Sequence, residues 1–427
     1  MDYAISPNTA AIMNRLTALP AVEAGLRFLE ADHPNTVRDQ LELVVVKAPT
    51  FHEHERAADM ARRFEALGLE AVHIDGLCNV IGLKRGTGTG PAILMEAHLD
   101  TVFPFEVEIV PEIRDGKIFA PGICDCTRGL AAMLSVIRAM NETEVKHSGD
   151  IYFVGTAREE GMGGLGGMKG FFESHRDKIA ASITIDGGGA DRIVHNATGI
   201  KTVVFTFAGA GGHAYGAFGK VANCLHAAAR AVAKIAELQV PADPRTTFAV
   251  SNFHSGNDAG IHAIPQSAGF KINFRSNSPE ALGTLKADIF RCVSEACTEE
   301  TARWGVEEMT FTHEYLVDVP AGSQDIHLPI LEAAYSAMQH LGLTPQFSKD
   351  GSTNANIPVG LGVPAVCIGR GGPEGGVHTT DEWCMVDGTY PCPQEAFLIA
   401  LALSGVAGET ESVMGQGAAA VSSPLSF

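Results

Sequence analysis

The stretch AILMEAHLDTV, residues 92–102, decides how the rest of the chain is interpreted. Its apolar start predicts a buried strand, and His98 and Asp100 follow two residues apart, on the same side of an extended backbone. The carboxyl ends of buried strands are where open α/β sheets place ligands. An Asp at this spacing can accept one imidazole N–H and leave the other nitrogen for a metal ion. An ordinary strand end would look the same, so further motifs must decide.

Other predicted strand ends carry similar residues. Acidic or imidazole side chains follow three further apolar runs: Glu159 and Glu160 after 151–155, Asp186 after 182–185, and His378 beyond 364–368. A further acid, Asp125, lies in the glycine-bracketed loop PGICDCTRG, although it could equally cap the helix that follows. Because a parallel sheet collects its strand ends at one edge, this recurrence predicts a single shared site.

The order of elements predicts two domains in an α/β protein. A chain of 427 residues exceeds what one core usually holds. We expect a catalytic domain, residues 1–198 and 318–427, with a mixed, largely parallel sheet flanked by helices. The β-α-β-β-α-β-like texture of residues 199–317 predicts an inserted, smaller α+β domain of the ferredoxin-like kind. The small, polar tail after Gly408 is predicted to be disordered.

Composition limits the classes of partner. The chain has 31 basic and 50 acidic residues, a formal charge of −19, which argues against nucleic acid or an anionic membrane as the main partner. Its nine cysteines form an odd number without a CxxC pair, as expected for reduced thiols in the cytoplasm. We find neither a signal-peptide pattern at the start nor an apolar run long enough for a membrane span. A small-molecule substrate remains compatible with all of this.

Taken in order, these motifs resemble the M20 family of di-metal peptidases and amidohydrolases over roughly residues 40–405. The resemblance implies two divalent ions, zinc, manganese or cobalt, with Asp125 as the bridge between them. It implies His98 and Asp186 as ligands of one ion, and Glu160 and His378 as ligands of the other. Two nearby ions lower the pKa of a shared water and polarise the scissile group, which explains why the chemistry needs this set.

The resemblance also implies the remaining catalytic roles. Asp100 would orient His98, and Glu159 would be the general base. In this family the inserted domain builds a dimer, so we expect a homodimer or larger homo-oligomer. There His213, in the motif GGHA, would reach the partner's site and stabilise developing negative charge. Arg275, in NFR, matches a position that binds a substrate carboxylate.

Departures from the family pattern leave the substrate open. Where relatives usually have Asp-Lys-Gly after the bridging Asp, this chain has Cys126-Thr127-Arg128, and Asn354 stands where an Asp is frequent. Cys126 could be a ligand or a redox-sensitive thiol, although a space-filling role is favoured. Further candidates for substrate binding complete the predicted site: Asn223, Thr127, Arg128 and Arg370.

Three functions are therefore compared. The first is hydrolysis of a C–N bond, in a peptide or N-acyl amino acid, on a small carboxylate-bearing substrate. The second is an aminohydrolase that releases ammonia from a small, aminobenzoate-like amine, suggested by the altered loop after Asp125. The third is a catalytically silent scaffold, which the intact set of predicted ligands and Glu159 argues against.

Overall fold

The computed structural model describes residues 3–257, 259–306 and 309–415. The helices are α1 Pro7–Thr17, α2 Pro20–Ala31, α3 His33–Val44, α4 His54–Ala66, α5 Thr127–Glu142, α6 Gly166–His175, α7 Cys224–Ala236, α8 Pro279–Trp304, α9 Pro329–His340, α10 Asn356–Gly360 and α11 Pro391–Ser404. The strands are β1 Glu70–Ile74, β2 Val80–Lys84, β3 Ile93–His98, β4 Glu112–Arg114, β5 Lys117–Phe119, β6 Ile151–Thr156, β7 Ala181–Gly187, β8 Arg192–Val194, β9 Gly199–Ala208, β10 Gly212–His213, β11 Thr246–Ser255, β12 Ala263–Ile264, β13 Ser267–Ser276, β14 Thr310–Val319, β15 Gln346–Ser348, β16 Ala365–Gly369, β17 Glu374–Gly375 and β18 Trp383–Met385.

The larger of two compact units comprises, among the described residues, 3–197 and 323–415 and is built on an eight-stranded mixed sheet. The strand order is β1-β2-β6-β3-β7-β16-β8-β15. Its centre is parallel, since β3 pairs in parallel with β6 and β7, and β7 with β16. Every residue of β3 is buried, as a strand between two others in a helix-covered sheet requires. The four central strands therefore end at the same edge.

The helices of this unit cover the sheet with apolar faces. Helix α5 is buried along nearly its whole length, and α11 is buried on all sides except at its first residue and is predominantly apolar. Both helices share one hydrophobic core with β3, which explains why the strand that ends at His98 is held firmly. A second, four-stranded antiparallel sheet, β17-β18-β5-β4, has strands on either side of His378 and the strand β5 before Asp125.

The smaller unit, residues 198–322, has an antiparallel sheet of order β11-β13-β9-β14. With α7 and α8 it follows the β-α-β-β-α-β sequence of a ferredoxin-like fold. Alternate phenylalanines of β9 and β13 face the two helices, and α7 meets them with alanines at helical spacing. Asn223 caps α7, because its side-chain oxygen accepts the backbone N–H groups of Leu225 and His226 at 3.0 and 3.4 Å.

The predicted fold class is confirmed, but the tail differs from its prediction. Residues 409–415 are ordered against the larger unit, where Val413 is buried and its N–H donates to the Ala402 carbonyl at 2.9 Å. Apolar contacts of a short segment outweighed its polar composition. Residues 416–427, the rest of that tail, lie outside the described residues. Among the described residues, no helix is both long and apolar enough to cross a membrane.

Candidate metal centre

The edge where the central parallel strands end holds a cluster of imidazole and carboxylate groups, largely buried except for the half-exposed side chain of His378. His98 is the last residue of β3 and is 1% exposed. Its Nε2 lies 2.8 Å from Asp125 Oδ1 and 3.6 Å from Asp186 Oδ1, at the end of the neighbouring strand β7. Glu160, just beyond β6, lies with its Oε1 2.8 Å from His378 Nε2. The strand-end residues predicted from the sequence thus come together.

Asp125 stands at the centre of this cluster and uses its two oxygens on different sides. Oδ1 faces His98, whereas Oδ2 lies 3.3 Å from His378 Nε2. Ligand atoms of His98, Asp125 and Asp186 lie within 4.8 Å of one another, and so do those of Asp125, Glu160 and His378. A carboxylate with one oxygen on each side can bridge two ions.

The loop that carries Asp125 is held by a residue that the sequence did not reveal. Glu382 is fully buried, and its two oxygens accept three backbone N–H groups, from Gly122 at 3.0 Å, Cys124 at 2.7 Å and Asp125 at 3.0 Å. These bonds fix the main chain at the bridging residue. The only sequence signal for Glu382 is an acid close after His378, in TTDEW, which surface acids share.

The loop side chains predicted to touch substrate are buried and bonded to the main chain. Thr127 Oγ1 donates to the Gly122 carbonyl at 2.6 Å, and Arg128 Nη2 donates to the Met385 carbonyl at 2.6 Å. Cys126 Sγ donates to the Ile185 carbonyl at 3.0 Å, and burial raises the pKa of this thiol far above its ordinary value. A neutral thiol in this position packs well but is a poor ligand.

Asp100 organises the two adjacent glutamates. Its Oδ1 accepts the N–H of Glu159 at 2.9 Å, and its Oδ2 accepts that of Glu160 at 3.0 Å. The imidazole of His98 is held differently from expectation: its Nδ1 lies 2.9 Å from the main-chain carbonyl of Asp100 and 3.7 Å from the carboxylate. Burial would raise the pKa of Asp100, but His98 and the two N–H donors lower it overall. The charged carboxylate of Asp100, which follows β3, therefore holds the main chain of Glu159 and Glu160 beyond β6.

Arg370, which follows β16, lies inside the cluster. Its side chain is 5% exposed, and Nη1 lies 2.8 Å from Asp125 Oδ1 and 3.0 Å from Asp186 Oδ1. Glu374 binds the other side of the guanidinium, at 2.7 Å from Nη2. Burial disfavours the charge, but these three carboxylates outweigh it and raise the pKa of Arg370 well above its ordinary value. The sequence predicted a substrate-binding role for Arg370 and gave no sign of Glu374.

Crowding of the acids shows in their proton affinities. Burial raises the pKa of Glu159 far above its ordinary value, His98 opposes this, and the charges of Asp186, Glu160 and Asp100 add to it. Hydrogen bonds to Asp125 and Glu160 raise the pKa of His378 to about 10. Bound protons or positive charge relieve the repulsion among these acids. The donor set, mixed imidazole and carboxylate, fits two divalent ions.

The predicted residues of the smaller unit have their own surroundings. His213 is exposed on β10, and its Nδ1 accepts the backbone N–H groups of Tyr215 and Gly216, both at 3.3 Å. Arg275 is exposed on β13, where its Nε donates to Asn273 Oδ1 at 3.1 Å. The side-chain oxygen of Asn223 is engaged in the cap of α7. Their proposed contacts with substrate stay predictions.

Fold and centre together define a hydrolase with a His, Asp and Glu cluster suited to two metal ions. The sequence profile of peptidase family M20/M25/M40 matches residues 94–394, more than half of the chain, and the chain belongs to this family. The predicted recognition is confirmed, and so is a His, Asp and Glu cluster suited to the predicted pair of divalent ions.

Known proteins resemble most of the chain. Succinyl-diaminopimelate desuccinylases of Burkholderia ambifaria and Burkholderia multivorans are each 29% identical over 344 residues, covering 76% of this chain and 87% of theirs. Aminopeptidase PepT from Bacillus cereus is 25% identical with a TM-score of 0.70, covering 86% of this chain and 97% of its own. A dinuclear metal-binding M20 peptidase from Bacillus subtilis shares the fold, at 16% identity and a TM-score of 0.66, covering 88% of this chain and 99% of its own.

Proposed function

We propose that this hydrolase cleaves the C–N amide bond of a small carboxylate-bearing substrate, a peptide or an N-acyl amino acid. The observation that carries the proposal is that the two carboxylate oxygens of Asp125 face different imidazoles, Oδ1 toward His98 and Oδ2 toward His378. The proposed ligands of one ion are His98 and Asp186, those of the other are Glu160 and His378, and Asp125 serves both. The names of the relatives, desuccinylases and an aminopeptidase, favour amide substrates that carry a carboxylate.

The proposed mechanism assigns proton transfer to Glu159. When bound, two divalent ions supply a water of lowered pKa and polarise the scissile carbonyl. The carboxylate of Glu159 accepts the proton from the attacking water and then delivers it to the leaving nitrogen. Asp100 keeps this carboxylate in place through its bond to the Glu159 N–H. Added positive charge nearby lowers the pKa of Glu159 and so makes the base available at neutral pH.

Residues of the smaller unit are proposed to hold the substrate. Arg275 carries an exposed guanidinium, which suits a substrate carboxylate. His213 accepts two N–H groups at Nδ1, so its neutral form carries the proton on Nε2 and can donate it to a developing oxyanion. We propose that His213 does so in the site of the partner subunit of a homodimer. Asn223 is retained as a further substrate contact through its amide nitrogen, and the location predicted from cysteine usage stays a prediction.

The aminohydrolase alternative gains no support from the loop after Asp125. Its basis was that Thr127 or Arg128 touches the substrate, yet both side chains are buried and bonded to main-chain carbonyls. Product analysis still decides between the two. Amide hydrolysis releases an amino acid without free ammonia, whereas amine hydrolysis releases ammonia in step with substrate loss.

The test of the base is Glu159→Gln, with Glu173→Gln on the exposed face of α6 as the matched control. We expect kcat to fall about 10²–10⁴-fold while metal content stays at two ions per chain. Near-normal turnover with both ions bound would show that another group is the base. Asp125→Asn should lower the affinity for both ions, and wild-type affinity for both would refute the bridge.

The test of the cross-subunit role uses mixed dimers. Inactive His213→Ala and inactive Glu159→Gln chains are mixed under conditions of subunit exchange. If His213 serves the partner, one site in each mixed dimer has both an intact base and an intact His213, so activity returns in part. Absence of any recovery, in a mixture shown to contain mixed dimers, would refute the role.

A further inference from the structure

The mechanism above gives no task to the buried charge of Arg370. Arg370 carries a permanent positive charge inside the proposed ligand cluster. A buried guanidinium is costly unless carboxylates pair with it, and here two of the three paired carboxylates, Asp125 and Asp186, are themselves proposed metal ligands. Arg370 and a divalent ion therefore compete for the same negative charge.

The competition is confined to one side of the cluster. Nη1 of Arg370 approaches Asp125 through Oδ1, at 2.8 Å, and Asp186 through Oδ1, at 3.0 Å. The other oxygen of Asp125 faces His378, and the structure places Glu160 against His378 at 2.8 Å. The positive charge of Arg370 thus bears mainly on the His98–Asp186 site, and less on the Glu160–His378 site.

Arg370 is also fixed in this position. Glu374 Oε1 and Oε2 accept from Nη2 at 2.7 Å and from Nε at 3.4 Å, so the guanidinium is held from behind. The main chain is clamped as well, because the Arg370 N–H donates to the Gly187 carbonyl at 2.6 Å. A side chain bonded on both sides and 5% exposed has little room to turn away when an ion arrives.

We propose that Arg370 makes the two metal sites unequal, weakening the His98–Asp186 site so that the Glu160–His378 site fills first. The inference rests on the ligand assignment proposed above. Its physical basis is like-charge repulsion at short range in a poorly solvated site, together with sharing of the Asp125 and Asp186 carboxylates. Glu374 has the opposite effect, since its negative charge offsets part of that of Arg370.

The experiment titrates Zn²⁺ into chelator-treated full-length protein by calorimetry, with Co²⁺ absorption as a second readout of each site. Wild type should bind in two steps whose affinities differ about tenfold or more. Arg370→Gln should tighten the weaker step about tenfold and leave the stronger one within about threefold. Arg370→Lys keeps the charge and should keep the weaker step weak.

Glu374→Gln supplies a change of opposite sign. It leaves Arg370 in place but removes the charge that offsets it, so the weaker step should weaken by about tenfold. A purely structural role predicts that Arg370→Gln weakens both steps, as loss of a packed side chain would. Circular dichroism of each metal-free variant checks that it is folded. If Arg370→Gln does not fold, the effect of Glu374→Gln on the weaker step decides whether Arg370 acts through its charge.

Two ligand variants separate the inference from the assignment beneath it. His378→Ala should abolish the stronger step, and Asp186→Asn should abolish the weaker one. If neither step is lost, the ligand assignment has failed. If both are lost as expected but Arg370→Gln and Glu374→Gln leave the weaker affinity unchanged, the role of Arg370 is refuted.

Discussion

Replacing Glu382 should release the loop that carries Asp125, by an amount that the structure allows us to estimate. Its carboxylate accepts N–H groups of Gly122, Cys124 and Asp125 at 2.7–3.0 Å. A buried donor left without an acceptor costs about 1–3 kcal/mol. Burial raises the pKa of Glu382, the three N–H donors lower it, and the charge of Asp125 raises it further. Keeping the buried carboxylate charged therefore offsets part of the stabilisation that its hydrogen bonds supply. We therefore take the low end for each of the three bonds and expect Glu382→Ala to lose about 3 kcal/mol.

Glu382→Gln should cost less, for a geometric reason. Oε1 accepts two of the N–H groups and Oε2 accepts one. With the amide oxygen in the place of Oε1, two bonds persist and the NH₂ group opposes the N–H of Gly122. The expected loss is about 2 kcal/mol, one charge-assisted bond.

The assay follows the fluorescence of Trp383, which adjoins Glu382. The chain has two tryptophans, so a Trp304→Phe background leaves Trp383 as the sole reporter of the larger unit. Urea unfolding of chelated protein at pH 7 then compares Glu382→Ala and Glu382→Gln with Glu173→Ala on an exposed helix face. The reasoning fails if Glu382→Ala is no more destabilised than this control, or if the glutamine variant is the weaker of the two.

Three other outcomes are expected. Chelation should abolish activity and lower Tm, and added zinc, manganese or cobalt should restore both; activity that persists at verified zero metal would contradict the dinuclear site. Burial raises the pKa of Glu395, a core carboxyl of α11. Its contribution to stability is fully present below the unfolded pKa of about 4.5 and is lost as pH rises toward the folded pKa. The Tm of Glu395→Gln should therefore match that of wild type near pH 4.5 and exceed it at pH 8. Burial lowers the pKa of His147, whose Nδ1 lies 2.7 Å from the Gly149 carbonyl. Its contribution to stability is fully present above the unfolded pKa of about 6.5 and is lost as pH falls. His147→Asn should therefore flatten the fall in Tm between pH 7 and 5, and an unchanged slope would contradict this.

The sequence predicts best where chemistry follows directly from a strand. His98, Glu160 and Asp186 each come at or just after a buried apolar run, and the parallel pairing of β3, β6 and β7 brings those ends together. The same reasoning explains why the fold class could be predicted. Position relative to a strand end is a local property, and local properties can be read from the printed letters.

Residues that act through distant contacts were missed or given another role. Glu382 meets Gly122 across 260 positions of sequence, and Arg370 meets Asp186 across 184. No periodicity marks such pairs, because only the folded chain brings them together. Asp100 shows the same limit on a smaller scale: its spacing predicted a carboxylate bond to His98, whereas the structure gives that bond to the main-chain carbonyl and uses the carboxylate for Glu159 and Glu160.

In the proposed assignment, metal binding and substrate choice belong to different units of the chain. The proposed ligands and Glu159 all lie in the larger unit, as do Asp100, Glu382 and Arg370, whereas His213 and Arg275 lie in the smaller one. Substitution of Arg275 should therefore raise KM for carboxylate-bearing substrates and leave the two metal-binding steps intact, because Arg275 bonds to Asn273 and not to a proposed ligand. Substitution of Arg370 should instead change the affinity of metal binding. If Arg275→Gln altered metal affinity as strongly as Arg370→Gln, metal binding and substrate choice would not be separable by unit.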